Sequence, residues 1–258
     1  MKNFRKTTVC GALLLFGAAA CADLDVVNTN DPDRERALAT AGDVESLISG
    51  SYQRWWLAEN SVAGPNMFLS AASFQHSASA ANFGMLTYSA LPRSPVINEV
   101  THADYANISY AWTTNYRALA AVAEGLRSIN ENPQIATDLG AANTIRARIF
   151  GKFVQGLSHA AVAILYDKGF VIDETVETID ESGAPILLGE PVPYTQLMTA
   201  AQGYFDQAIA LSNQAGAAGV TIPADWTGLI SPNTDLTMPE LRRIIYSMKA
   251  RYRAHNAR

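Results

Sequence analysis

Apolar side chains recur at helical spacing along most of the chain after residue 40. Behind Thr40, with Asp43 three residues on as an approximate capping box, Val44, Leu47, Ile48, Tyr52 and Trp55 fall on one helix face. Tyr116, Leu119, Ala120, Ala123 and Leu126 form a second stripe over 116–129. A third spans roughly 143–168, where Phe150, Phe153, Val154, Leu157, Ala161 and Ile164 share a face. Gly151, Gly156 and Ala160 in that segment leave room for a neighbour, so it is predicted to be the central, buried helix. Leu197, Ala201, Tyr204, Phe205 and Ala208 mark a fourth helix from Tyr194 to about Ser212. Leu241, Ile244, Ile245, Met248 and Tyr252 mark a fifth from Met238, with Thr237, Pro239 and Glu240 as its start signal.

Between these segments lie long stretches at roughly 76–110, 169–193 and 213–236. Long loops in a folded domain are usually functional or disordered, because their backbone must be satisfied by water or partners, so a ligand surface is expected there. The pattern predicts an all-α fold of tetratricopeptide-like helix pairs with long connecting loops. No strict 34-residue repeat is present.

The first twenty-one residues follow a different logic. Lys2, Arg5 and Lys6 precede a 12-residue apolar run, Val9 to Ala20, which ends at Cys21. A membrane-spanning helix needs about 20 apolar residues, so this run reads as a secretory signal over residues 1–20. Ala18, Ala19 and Ala20 before Cys21 resemble the lipobox of bacterial lipoproteins, although the family prefers Leu where Ala18 stands; an ordinary secretory signal cut near Ala20 is the alternative. Lipidation is expected at Cys21, since its thiol is the nucleophile able to carry a thioether-linked lipid, and acyl chains hold a domain on a bilayer without a spanning segment. Residues 21–40, polar and with Asn-Asp-Pro turn chemistry, read as a tether to the helical domain at 41–258. Cys10 leaves with the signal, so the mature chain has no disulfide and must rely on its core.

Removing the signal leaves 16 Lys+Arg against 24 Asp+Glu, a net charge of −8. With no basic stripe, nucleic-acid binding is disfavoured.

Taken in order, Leu24 to Trp56, Asn82 to Arg93, Asn115 to Ile129 and Ala147 to Asp173, behind the lipobox cysteine, resemble the SusD/RagB family of nutrient-uptake outer-membrane lipoproteins. The segment Tyr204 to Leu211 is similar to the helix that follows the family's crossover loop. The resemblance implies a lipid-anchored, surface-exposed protein of the cell outer membrane. It would lie as a lid over a SusC-like TonB-dependent transporter, binding an oligosaccharide or peptide before import. Family members are usually considerably longer, so the chain is expected to be an N-terminal part of such a fold, with an apolar face ending at Tyr252 left without a partner.

Sugar binding needs flat aromatic faces flanked by groups that hydrogen-bond hydroxyls. Asn82, Phe83 and Tyr88 supply both types and are the ligand-binding candidates; packing of Phe83 and Tyr88 onto the helices is the competing explanation. Trp55 and Trp56 point about 100° apart on a helix, one to the core and one to a rim, and Trp112 with Tyr116 reads as core packing. His76, His102, His159 and His255 lack metal-ligand spacing, so no metal site is expected, and His159 reads as a satisfied core histidine. Asp173, Glu174, Glu177, Asp180 and Glu181 read as a solvated acidic loop; it lacks the glycine turn of a calcium loop and the rigid carboxylate pair of a glycosidase. With no nucleophile-elbow, P-loop or dinucleotide motif, neither a catalytic residue nor a cofactor is assigned. A surface all-α glycoside hydrolase and a protein-binding scaffold remain as alternatives to ligand capture.

Overall fold

The computed structural model of the protein describes residues 34–77, 84–93, 95–103, 105–178, 180, 186–228 and 233–256. The signal segment, Cys21 and most of the tether lie outside the described residues, as do Asn82, Phe83 and Glu181. The fold is dominated by helices: α1 (Arg34–Ala37), α2 (Ala41–Asn60), α3 (Pro65–Ala72), α4 (Met85–Ser89), α5 (Tyr105–Glu131), α6 (Pro133–Leu165), α7 (Tyr194–Ser212) and α8 (Met238–His255). The strands among the described residues are two-residue pieces, β1 (Lys168–Gly169) antiparallel to β2 (Val192–Pro193) and β3 (Thr221–Ile222) antiparallel to β4 (Leu236–Thr237).

Start signals set the helices where the residues place them. The Thr40 side chain accepts the Asp43 backbone N–H at 3.1 Å and caps α2. At α8 the capping box is complete: Glu240 accepts the Thr237 N–H at 2.9 Å and the Thr237 hydroxyl at 2.7 Å. These bonds, from the hydroxyl first and then the backbone, hold the exposed Glu240 carboxyl below its usual range.

The core is organised around α6, which packs against α2, α5 and α7. Phe150, Phe153, Val154 and Leu157 have no exposed surface, and burial of each side chain contributes roughly 1.5–3 kcal/mol. Two glycines bring neighbours close: a Cβ on Gly156 would meet the Phe205 ring at 2.6 Å, and one on Gly151 would meet Leu126 at 3.0 Å. Leu126 beside Gly151, and Tyr116 beside Phe170 just past the end of α6, make α5 and α6 antiparallel; Phe205 beside Gly156, with Leu197 and Val162 both beside Gly169, does the same for α6 and α7.

Several expectations are corrected. α6 extends N-terminally to Pro133, capped by Asn132, but breaks at Gly140, whose φ of 74° suits a residue without Cβ, so the unbroken helix begins close to the expected residue 143 and ends at Leu165. The second begins at Tyr105 rather than Tyr116, shortening the first long loop, which also holds α4. The loop over 213–236 carries the β3–β4 ladder and Trp226, whose ring meets Phe150 at 5.1 Å. The face ending at Tyr252 is covered: Tyr252 is completely buried against Trp55, Glu59 and Phe205. Among the described residues no helix is long and apolar enough to cross a membrane.

Candidate functional site

At the end of α2 the chain turns through Gly64 into α3. A Cβ on Gly64 would come within 2.6 Å of the Glu59 carbonyl oxygen, so the turn admits no side chain, and Pro65 then starts α3 with its φ already helical. At the far end the Phe74 N–H donates to the Ala71 carbonyl at 3.2 Å and the Gln75 N–H to the Ser70 carbonyl at 2.9 Å. This is a Schellman stop, and its left-handed position, usually glycine, is filled by Phe74 at φ 58°. A bulky residue there stores strain of about 1–2 kcal/mol. The stop presents the Phe74 ring to solvent, 58 % exposed, with the Arg93 guanidinium 4.6 Å from its centroid.

Beside Phe74 lies an open hollow of about 680 Å³, lined by Asn60, Asn66, Ser70, Ser73, Gln75 and His76, with Met67 and Leu69 as its apolar part. The Asn66 amide donates to the Asn60 side-chain oxygen at 2.9 Å, and the Asn60 amide to the Trp56 carbonyl at 3.0 Å. Ser70 and Ser73 each donate to a helix carbonyl, at 2.8 and 3.2 Å, and keep their lone pairs as acceptors. Donors and acceptors without a carboxylate suit an uncharged ligand rich in hydroxyl or amide groups, and the exposed Phe74 ring, backed by Arg93, sits between the lining residues Ser73 and Gln75 in the chain.

Of the sequence candidates, Tyr88 lies on α4, 7 % exposed, with its ring 5.1 Å from Phe68. That is the packing explanation set beside the ligand one. Trp55 is buried and Trp56 half-buried, at 6.2 Å from each other. Trp112 and Tyr116 belong to an aromatic cluster with Tyr166 and Phe170, at centroid distances of 4.7 to 6.3 Å. Burial pushes the Tyr116 and Tyr166 hydroxyls up to about 12, so both stay protonated at neutral pH. Phe74, Arg93, Asn60 and Asn66 were not among the sequence candidates. Their one sequence signal is a helix of small residues running straight into Ser73 and Phe74 without a terminating glycine.

The acidic loop is not a solvated run at its start. Glu174 accepts from Lys152 Nζ at 2.6 and 2.9 Å and from the Gln155 amide at 3.0 Å, and Asp173 accepts from Thr175 and, at 2.9 Å, from the Tyr204 hydroxyl. Burial alone would raise both carboxyls, but these bonds outweigh it and hold both below the usual carboxylate range. His159 accepts the Ile172 N–H at Nε2, 3.0 Å, so Nδ1 carries the proton and donates to the Gln155 carbonyl at 2.7 Å. Burial drops this imidazole to about 4, leaving it neutral. Arg127, paired with Glu124, donates to the Glu174 and Val176 carbonyls at 3.0 and 2.5 Å. Together these groups clip residues 172–176 onto α5, α6 and α7. Held below the usual carboxylate range, neither Asp173 nor Glu174 is set up as the protonated acid of a glycoside cleavage. Glu177 and Asp180 are exposed. Among the described residues no group of three or more His, Cys, Asp or Glu could hold a metal ion.

No protein-family model, no curated protein and no solved structure matches the chain.

Proposed function

We propose that the protein is a ligand-capturing lipoprotein of the SusD/RagB kind, held at the cell outer membrane through an acylated Cys21. Its antiparallel helices serve as tetratricopeptide-like pairs that carry a ligand surface, and the captured oligosaccharide or peptide passes to a SusC-like TonB-dependent transporter. The single observation that carries this reading is the hollow at α3, lined by neutral amides and hydroxyls, with the strained, solvent-facing Phe74 between two of its lining residues, Ser73 and Gln75, in the chain. The lipobox-like run ahead of Cys21 supplies the anchor. A protein tethered beside an import pore needs to hold a neutral ligand reversibly, and aromatic faces with neutral hydrogen-bonding groups do this without the desolvation cost of buried charges.

The test is calorimetric titration of the mature protein with a panel of neutral oligosaccharides and short peptides, with chromatography of each mixture for cleavage products. Binding of one class without turnover, weakened at least ten-fold by Phe74→Ala and by Asn66→Ala, supports the reading. Product formation, or binding that neither variant alters, overturns it. Mass spectrometry of the mature N-terminus tests the anchor separately, an unmodified Cys21 removing it.

A further inference from the structure

A second concavity at α3 has a different chemistry. Between α3 and the place where α5 meets the end of α6 lies a cleft of about 300 Å³, with Pro65, Phe68 and Leu69 on one wall and Ile108, Ala111 and Ile164 on the other. Val96 completes it from the segment before α5. No side chain of its lining carries a charge. Tyr166 also lines it, but its hydroxyl is committed, donating to the Ile108 carbonyl at 2.6 Å and accepting the Trp112 N–H at 3.0 Å, which leaves its ring for contact. Asn107 adds one amide.

Two exposed large apolar side chains, Leu69 and Val96, stand in the lining itself. Of the eleven exposed large apolar side chains among the described residues, seven lie between residues 69 and 100. Leu69 is 47 % and Val96 54 % exposed although both line the cleft. Scattered apolar residues on a surface mean little; exposed ones that line an uncharged concavity mark a binding site. At the roughly 30 Å³ that a water-sized group takes in a liquid, the space holds about ten non-hydrogen atoms.

We infer that this cleft, which shares Leu69 with the polar hollow but otherwise has its own lining, is a binding site for an uncharged aromatic or branched aliphatic group of about indole size. A charged ligand is excluded because nothing in the lining compensates its lost hydration. A fully hydroxylated one is excluded because the lining supplies few polar partners. The assignment does not depend on the capture reading, since the two linings have Leu69 alone in common and differ in chemistry.

The experiment uses indole and p-cresol as probes and benzoate as the charged control, followed by calorimetry and saturation-transfer NMR on the mature protein. Indole and p-cresol are expected to bind saturably, and benzoate not. Val96→Asp and Asn107→Asp each place a carboxylate in this lining and leave that of the polar hollow untouched, and are expected to weaken indole at least ten-fold. Leu187→Asp, at a position 97 % exposed and outside the lining, is expected to leave it unchanged. Circular dichroism confirms that the variants are folded. Absence of saturable indole binding, indole binding untouched by both lining variants, or equal binding of benzoate would each overturn the assignment.

Discussion

The Tyr252 hydroxyl on α8 donates to the Glu59 carboxylate on α2 at 2.8 Å, and accepts the Trp55 indole N–H at 3.3 Å. Glu59 is 5 % exposed, and burial raises its carboxyl above the usual range despite the Tyr252 bond and the nearby Arg251 and His255. Tyr252→Phe leaves the carboxyl and the indole N–H buried without this partner and is expected to cost about 1–3 kcal/mol in urea denaturation. A raised carboxyl stabilises the fold below its unfolded value, and that contribution fades as pH rises through the folded one. Glu59→Gln is therefore expected to gain on the wild type as pH rises above the ordinary carboxyl range, read as a growing difference in denaturation midpoint.

The sign reverses at His159. Its folded value of about 4 lies below the ordinary value of 6.5, so the unfolded chain takes up the proton first as pH falls. Its stabilisation is fully present above about pH 6.5 and is lost on the way down to 4, a difference of about 3 kcal/mol. His159→Gln is expected to be less stable at neutral pH and to show a flatter decline over that window. Glu59 titrates in both proteins, so the difference between their pH profiles isolates the imidazole.

Two glycine substitutions are expected to move in opposite directions. Gly156→Ala drives a methyl into the Phe205 ring and is expected to cost about 1–3 kcal/mol. Gly50→Ala, inside α2 with nothing within 4 Å of the new carbon, is expected to stabilise by roughly 0.5–1 kcal/mol. Thermal denaturation of both reads the contrast.

Phe74→Gly tests whether the left-handed position is kept for its ring. Relief of about 1–2 kcal/mol of strain outweighs roughly 0.5 kcal/mol of exposed cation–π contact with Arg93, so the variant is expected to be the more stable protein. If the ring is the ligand platform, the same variant loses binding. A rise in midpoint together with unchanged ligand affinity would separate the strain from the function.

Helices with a polar start signal were legible in the residues. Thr40 and Asp43 placed α2, Tyr194 to Ser212 matched α7, and Thr237, Pro239 and Glu240 placed α8. The first eleven residues of α5 were not. Tyr105 to Asn115 mixes aromatic, β-branched and Asn residues of low helix propensity, and tertiary contacts hold it: Ile108 and Ala111 are buried, and the Tyr166 hydroxyl bonds to Ile108 and Trp112. The acidic loop misled because composition does not reveal that Lys152 and Tyr204 face it from α6 and α7. The hollow was hidden for a related reason. Its amides come from α2, α3 and the turn after α3, and the ring beside them is exposed by a backbone conformation that side-chain patterning does not encode.

The indole of Trp55 and the phenol it meets are separated by 197 positions in the sequence. A chain made from its N-terminus therefore exhibits the first long helix well before the last one exists to cover it, and closing so wide a span delays that step. Until α8 is made, a large aromatic surface stays wetted and prone to mispairing, so the chain has reason to meet a chaperone before that helix docks.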